Sequence, residues 1–169
     1  LRETGKSAIP DFVGGLGTTV NAFGFDLSIQ TAFQFGGYVY DSFYQMLMTS
    51  GSQGQNFHRD MFNRWTPTHR DTDIPALKLS SQSGYNIDGD WFLTKASYFS
   101  LRNITLGYTL PKKLTSRANI DNLRFYLVGD NIWMHSARKG LDPRQSFSGA
   151  TGYIYSALSS YSFGVSLSF

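Results

Sequence analysis

The last nine residues, Tyr161-Ser-Phe-Gly-Val-Ser-Leu-Ser-Phe169, alternate between large apolar and small or polar side chains. Successive side chains of a strand point to opposite faces, so Tyr161, Phe163, Val165, Leu167 and Phe169 share one face, and Ser162, Gly164, Ser166 and Ser168 the other. A strand with lipid on one side and a polar lumen on the other requires this pattern. A strand of a soluble sandwich can also carry it, and the rest of the chain has to separate the two.

Phe25 to Phe35 repeats the pattern at greater length. Phe25, Leu27, Ile29, Phe33 and Phe35 oppose Asp26, Ser28, Gln30, Ala32 and Gln34. Eleven residues of period two exceed the usual soluble strand of about 5–6 and match the roughly 9–11 of a tilted transmembrane strand. Strands are expected over about 11–22, 25–36, 95–109, 122–134 and 159–169. In the third of these Ile104, Leu106 and Tyr108 form the apolar face, and Leu101 falls out of phase, which predicts a bulge near Arg102. The connections alternate in length: a reversal at Phe23-Gly24, a long excursion over 37–93, a short link over 111–121, then a Gly/Ser/Asp-rich loop over 135–158. The long excursion has apolar spacing for short helices at Tyr38–Met48 and Phe57–Trp65. Such asymmetry suits a meander whose two ends face different compartments, with long loops outside the cell and short turns in the periplasm.

Five strands are too few to close a membrane barrel, whose minimum is about eight. Open edges in lipid would leave backbone groups unpaired at several kcal/mol each. The expected fold class is therefore all-β, five antiparallel strands forming part of a larger barrel. Composition agrees: aromatics make up 16% of the chain, with 14 Phe and 10 Tyr, and charged residues only 16%, against about 25% in an ordinary soluble domain. There is no apolar run long enough for a transmembrane helix, which needs about 18 residues. The absence of cysteine excludes disulfide frameworks, thiolate metal sites and cysteine nucleophiles. A net charge of +3, with Lys112, Lys113 and Arg117 as its densest cluster, forms no basic stripe for nucleic acid. Leu-Arg-Glu-Thr-Gly-Lys at the start has neither an initiating Met nor a signal peptide and reads as an interior position of a longer precursor.

Several segments resemble one family in its own order. Ser97-Tyr-Phe-Ser-Leu-Arg-Asn-Ile-Thr-Leu-Gly-Tyr-Thr-Leu-Pro-Lys-Lys113, Leu123-Arg-Phe-Tyr-Leu-Val-Gly-Asp-Asn-Ile132, Gly140-Leu-Asp-Pro143 and the terminal strand are similar to the C-terminal part of SusC/RagA-like TonB-dependent outer-membrane transporters. Arg64-Trp-Thr-Pro67 and Asp73-Ile-Pro75 resemble elements of an extracellular loop of that family. The chain departs from it at Arg144, where many relatives have Glu, and at Tyr153-Ile-Tyr155. The resemblance implies the end of a barrel of about 22 strands filled by a plug that lies outside this chain. It implies import of glycan or peptide fragments, a SusD-like surface lipoprotein as lid, TonB acting through a plug-side segment, and outer-membrane lipid around the wall. It further implies an outer-membrane location with the C-terminus on the periplasmic side. The alternatives are a non-transporting porin or adhesin, and a soluble β-sandwich carbohydrate-binding module.

Candidate sites follow. Phe25, Leu27, Ile29, Phe33, Ile104, Leu106 and Tyr108 are expected to face lipid. Tyr161, Phe163, Val165, Leu167 and Phe169 would carry, by resemblance, the signal read during outer-membrane assembly. Tyr38, Tyr40, Trp133, Tyr161 and Phe163 are expected near one membrane rim, and Phe23, Phe25, Tyr108 and Phe169 near the other, since amphipathic rings prefer that zone. Arg64, Trp65, Asp71 and Asp73 are candidates for substrate or lid contact, because an indole stacks on a sugar ring and charged groups bind hydroxyls or peptide ends. Asn86-Ile-Asp-Gly-Asp90 looks like a calcium loop but lacks the bidentate Glu at its twelfth position, and reads as a turn. His58, His69 and His135 lack ligand spacing, and no nucleophile elbow, phosphate-binding loop or dinucleotide fingerprint occurs. No cofactor, metal or catalytic residue is expected, and the chain does not read as an enzyme.

Overall fold

The computed structural model describes residues 5–49, 54, 56–77, 89–116, 119–145, 148–152 and 154–169. In chain order its elements are β1 (Phe12–Ala22), β2 (Phe25–Phe35), β3 (Tyr38–Tyr40), α1 (Ser42–Thr49), β4 (Leu93–Lys95), β5 (Tyr98–Thr109), the single helical turn α2 (Lys112–Thr115), β6 (Asn122–Ser136) and β7 (Ser160–Ser168). Five strands form one antiparallel sheet in the order β1-β2-β5-β6-β7, and β3 pairs with β4 apart from it. No helix among the described residues is long and apolar enough to cross a membrane.

The β1–β2 hairpin closes on two residues of positive φ, Phe23 at 52° and Gly24 at 85°. A turn with both central residues in this region has the twist that flanking strands need, and Gly24 enters it at no steric cost. From there the register follows the period-two pattern across the sheet. Val20, Leu27, Leu106, Leu127 and Phe163 lie opposite one another in a single row, and Ala22, Phe25, Tyr108, Phe125 and Val165 in the next. On the other face the rows read Thr19, Ser28, Thr105, Val128, Ser162 and Gly17, Gln30, Asn103, Asp130, Ser160. Cross-strand rings tie the apolar rows, with Phe25 and Tyr108 centroids 4.5 Å apart and Phe125 stacked on Phe163 at 6.3 Å; such pairs are a principal source of sheet stability.

No second sheet covers either face of this sheet among the described residues. Leu127 remains 55% exposed and Phe163 66%. Among the described residues the hydrophobic core consists of Val39, Met48, Met61, Phe92, Ala96 and Leu141, all outside the five strands and all in the long connections. A sandwich module would bury one sheet face against a second sheet; here no second sheet packs on the apolar face among the described residues.

Local details differ from the sequence expectation. The strand expected over 95–109 is two elements, because the strand is interrupted at Ala96–Ser97 and β4 pairs with β3 instead of continuing the sheet. Helical spacing at Tyr38–Met48 resolves into β3 followed by α1, and that at Phe57–Trp65 into a 3₁₀ turn over Arg59–Asn63. The bulge is found at Arg102, which lies between Leu101 and Asn103 without a partner on β2. On β6 the same step contains two residues, Asn131, at φ 50°, and Ile132. Tyr38 and Tyr40 belong to the small sheet, and Tyr40 packs its ring against Phe92 at 6.2 Å, so Tyr40 serves the loop core and not a rim of the main sheet. Phe163 falls in the row of Leu27, well inside the sheet.

Candidate functional site

Two polar regions remain once the apolar face is set aside: the second face of the sheet, and the cap formed by its long loops. On the sheet face, Arg124 donates to both oxygens of Asp26 at 2.9 and 2.5 Å. Asn103 donates to Asp130 at 2.7 Å, and Thr105 to Asn103 at 3.1 Å. The Arg124 guanidinium also lies 5.0 Å from the centroid of the Tyr126 ring, within cation–π range.

The loop cap packs onto this polar face at the end away from the Phe23–Gly24 turn. Gln34, which shares the face of Asp26 by parity, donates to Ala96 O at 3.2 Å, and the Arg144 guanidinium approaches the Tyr98 ring at 6.0 Å. Ser100 and Ser136 are in the same positions of the pleat. Ser100 is buried and donates to Ala32 O at 3.2 Å, while Ser136 Oγ lies within bonding distance of Arg138 O and Leu141 O.

Asp41 organises the cap. Its buried carboxylate accepts from the Tyr44 N–H at 3.0 Å and the Thr151 hydroxyl at 3.2 Å through Oδ1, and its Oδ2 faces the Arg138 guanidinium. The first bond caps α1, since a carboxylate at that position satisfies an amide the helix leaves open. Arg138 is simultaneously stacked 3.8 Å from the Tyr44 ring centroid. Burial lowers the Arg138 pKa below the ordinary arginine value. Asp142 makes the parallel arrangement one turn on: it takes two bonds from Arg144, at 2.8 and 2.7 Å, and one from the Arg144 backbone at 3.1 Å. The bond to Asp142 raises the Arg144 pKa, partly offset by burial. Two buried carboxylates are thus each matched by one guanidinium, which is the condition under which burying a charge is tolerable.

Above these pairs lies a depression of about 240 Å³ whose wall includes Asp41, Tyr44, His58, Arg138, Lys139 and Asp142. It is continuous with an apolar one of about 380 Å³ at Phe43, Ile154 and Tyr155. Nothing in either arrangement resembles a nucleophile with its base, and no group of metal-ligating side chains occurs among the described residues.

The residues expected to touch substrate or lid sit elsewhere on the cap. Trp65 and Ile74 are joined by a backbone bond of 2.8 Å, and Thr66 and His69 by two, at 2.9 and 3.0 Å, forming a tight hairpin. Arg64 turns back to Met61 O at 3.0 Å. Trp65, Asp71 and Asp73 are exposed, and neither carboxylate has an ion-pair partner among the described residues. The lipid-face candidates Phe25, Leu27, Ile29, Phe33, Ile104, Leu106 and Tyr108 lie on one face: Phe25, Leu27 and Ile29 stand opposite Tyr108, Leu106 and Ile104, and Phe33 opposite Phe99. Tyr161, Phe163, Val165 and Leu167 continue that face onto β7, and Phe169 follows the strand. Most of the Asn86–Asp90 turn lies outside the described residues.

Sequence reasoning passed over Asp41, Arg138 and the Asp26–Arg124 pair. Asp41 and Arg138 are far apart in sequence and meet only through tertiary packing, so no spacing reveals them. Asp41 falls inside Tyr38–Met48, whose spacing reads as helical throughout, so its place just before α1 emerges only from the structure.

No family model matches the chain. It is 28% identical over 141 residues to TonB-dependent receptor P3 of Formosa agariphila, covering 82% of this chain and 13% of that protein. It is 28% identical over 166 residues to TonB-dependent receptor SusC of Bacteroides thetaiotaomicron, covering 97% of this chain and 16% of the relative. Among solved structures it is similar to the RagAB peptide transporter, with a TM-score of 0.82 and 28% identity over 98% of this chain and 18% of the other. The RagAB peptide importer in its open-open state gives a TM-score of 0.76 and 27% identity over 97% of this chain and 18% of the other. The chain therefore spans less than a fifth of the proteins it matches. The SusC/RagA-like resemblance carried by the motifs extends over most of the chain in both sequence and fold, and the sheet matches a fragment of a TonB-dependent β-barrel.

Proposed function

We propose that this chain, whose sequence and fold match a segment of a SusC/RagA-like TonB-dependent barrel, supplies wall and mouth to an outer-membrane importer of glycan or peptide fragments. The observation that carries the reading is the two-sided sheet: continuous apolar rows on one face, a hydrogen-bonded polar face on the other, and a core confined to the loop cap. Lipid suits the first face and an aqueous or plug-filled lumen the second. The two sheet edges pair with further strands of the same barrel, because unpaired backbone in lipid is costly.

In this reading the connections at 37–93 and 135–158 form the extracellular mouth, and the Phe23–Gly24 turn, α2 and the C-terminus face the periplasm. Arg64, Trp65, Asp71 and Asp73 meet substrate or the SusD-like lipoprotein from the exposed hairpin. TonB acts through a plug-side segment, so the residues here guide and release cargo without performing chemistry. Tyr161 to Phe169 present the assembly signal.

Uptake of labelled oligosaccharides and peptides by cells expressing the full-length protein, with and without TonB, tests this reading. Import that vanishes without TonB supports it; passage independent of TonB supports a porin. For orientation, an epitope inserted between Pro67 and Thr68 becomes accessible on intact cells, and one at Phe23–Gly24 only after the outer membrane is opened.

A further inference from the structure

We propose that the groove running from Lys139 to Tyr155 binds the carboxylate end of an apolar oligopeptide. This rests on the importer reading and names a substrate class for the cap. The two depressions share Phe43, Gly152 and Ile154, and so form one channel, polar at one end and apolar at the other.

The acids of the polar end are buried and already engaged within the chain, so they present little to a sugar. Asp41 Oδ1 already takes Tyr44 N–H and the Thr151 hydroxyl, and its Oδ2 faces Arg138. Both Asp142 oxygens are held by Arg144. Gln145 Nε2 donates to Tyr155 O at 2.8 Å, and His58 Nδ1 accepts from Asp60 N–H at 3.2 Å. Glycan recognition depends on carboxylates and amides free to bond several hydroxyls, and these are engaged. Lys139 differs from them: it is exposed, and no carboxylate lies within ion-pair distance of it among the described residues. With Asp41 cancelled by Arg138 and Asp142 by Arg144, Lys139 leaves the polar end with one net positive charge, suited to a carboxylate.

At the other end Ile154 is 60% exposed and Tyr155 96%, offering area to an apolar side chain. The backbone from Ile154 to Leu158 is irregular and has no strand partner among the described residues. A peptide can offer its own amides to backbone groups of this kind, whereas a fatty acid has only its carboxylate to offer. Gly152 sits at the middle of the channel, where an added Cβ would meet no heavy atom within 4 Å, so a side chain there would occupy space a ligand needs without straining the fold.

The test uses the full-length transporter in detergent and four probes: a short peptide ending in Leu-Leu-Phe with a free carboxylate, its C-terminal amide, laurate and maltoheptaose. Binding of the acid is expected, with the amide about tenfold weaker, a difference of about 1.4 kcal/mol. Lys139→Gln should equalise acid and amide. Gly152→Phe and Ile154→Ser should each weaken the acid by about tenfold or more, with the heat-modifiable barrel band unchanged. Equal binding of acid and amide by the unaltered protein, indifference to both Gly152→Phe and Ile154→Ser, or stronger binding of laurate or maltoheptaose overturns the proposal. TonB-dependent uptake that persists alongside such a result leaves the importer reading standing and removes the groove assignment alone; absence of TonB-dependent uptake of any probe removes both.

Discussion

Arg124 on β6 reaches across β5 to grip Asp26 on β2, and the residue it passes over is Gly107. A Cβ on Gly107 would overlap the Asp26 carboxylate and lie 2.6 Å from Arg124 Nη2. The next strand repeats the device: the Tyr126 ring lies over Gly164, where a Cβ would collide with it. Two glycines thus open a shallow track across four strands on the polar face, and the ion pair and the aromatic ring fill it. Strand glycines often mark a close approach of this kind.

Gly107→Val should disrupt the track by overpacking, at a cost of about 1–3 kcal/mol. Asp26→Asn should cost about 1 kcal/mol or less, because the pair is partly exposed and solvent screens it. In the full-length barrel, the temperature at which the compact electrophoretic form is lost should fall for the valine variant and barely move for the asparagine one. Equal effects would mean that charge, not space, sets the role of Gly107.

The register separates wall residues by face within a single step of sequence. Leu27 lies in the row Val20–Leu27–Leu106–Leu127–Phe163, while Ser28 next to it points to the polar side. Leu27→Arg should lose about 2–4 kcal/mol if its row lies near the bilayer midplane, and Leu167→Arg should also impair assembly. Ser28→Lys should assemble as the unaltered chain does. The assembled fraction in isolated outer membranes reports this; normal assembly of both arginine variants would reverse the assignment of faces.

The five antiparallel strands were legible because period-two alternation is a local signal, and Phe25–Phe35 carries it with Thr31 as the one polar residue in its apolar phase. The bulge at Arg102 was legible for the same reason, as Leu101 breaks phase. Loop architecture was not. Tyr38–Tyr40 looked helical because Tyr, Val and Phe recur at helical spacing into α1, yet pairing with Leu93–Lys95 is a contact between segments more than fifty residues apart. The Asp41–Arg138 and Asp26–Arg124 pairs are equally remote in sequence, 97 and 98 residues apart by their numbering. Composition could indicate that the few charges need partners, but not which ones meet.

Phe169 is 81% exposed beyond β7, whose end is held by a 2.8 Å bond from Asp121 N–H to Ser168 O. Its side chain therefore adds little to packing within this chain. If it belongs to the assembly signal, Phe169→Asp should slow appearance of the heat-modifiable form several-fold in a pulse-chase experiment, while the barrels that do form melt as before. A lowered melting temperature with normal assembly kinetics would instead make Phe169 a packing residue.

Asp41 makes the opposite prediction, because two parts of the chain meet at its carboxylate: α1 through Tyr44 N–H, and the β6–β7 connection through Arg138 and Thr151. Asp41→Ala removes the helix cap, worth about 1 kcal/mol, and leaves the half-buried Arg138 without its counter-charge. Together these should cost the cap about 2–4 kcal/mol, allowing for solvent at the arginine. Asp41→Asn keeps an acceptor for Tyr44 and Thr151 and should lose less. Since the cap's core of Met48, Met61 and Phe92 is separate from the sheet, the damage should stay local. Limited proteolysis of the full-length protein in membranes should then cleave Asp41→Ala faster within 37–93 and 137–159, with the heat-modifiable barrel intact. Loss of the barrel itself would show that the loop cap and the wall fold as one cooperative unit.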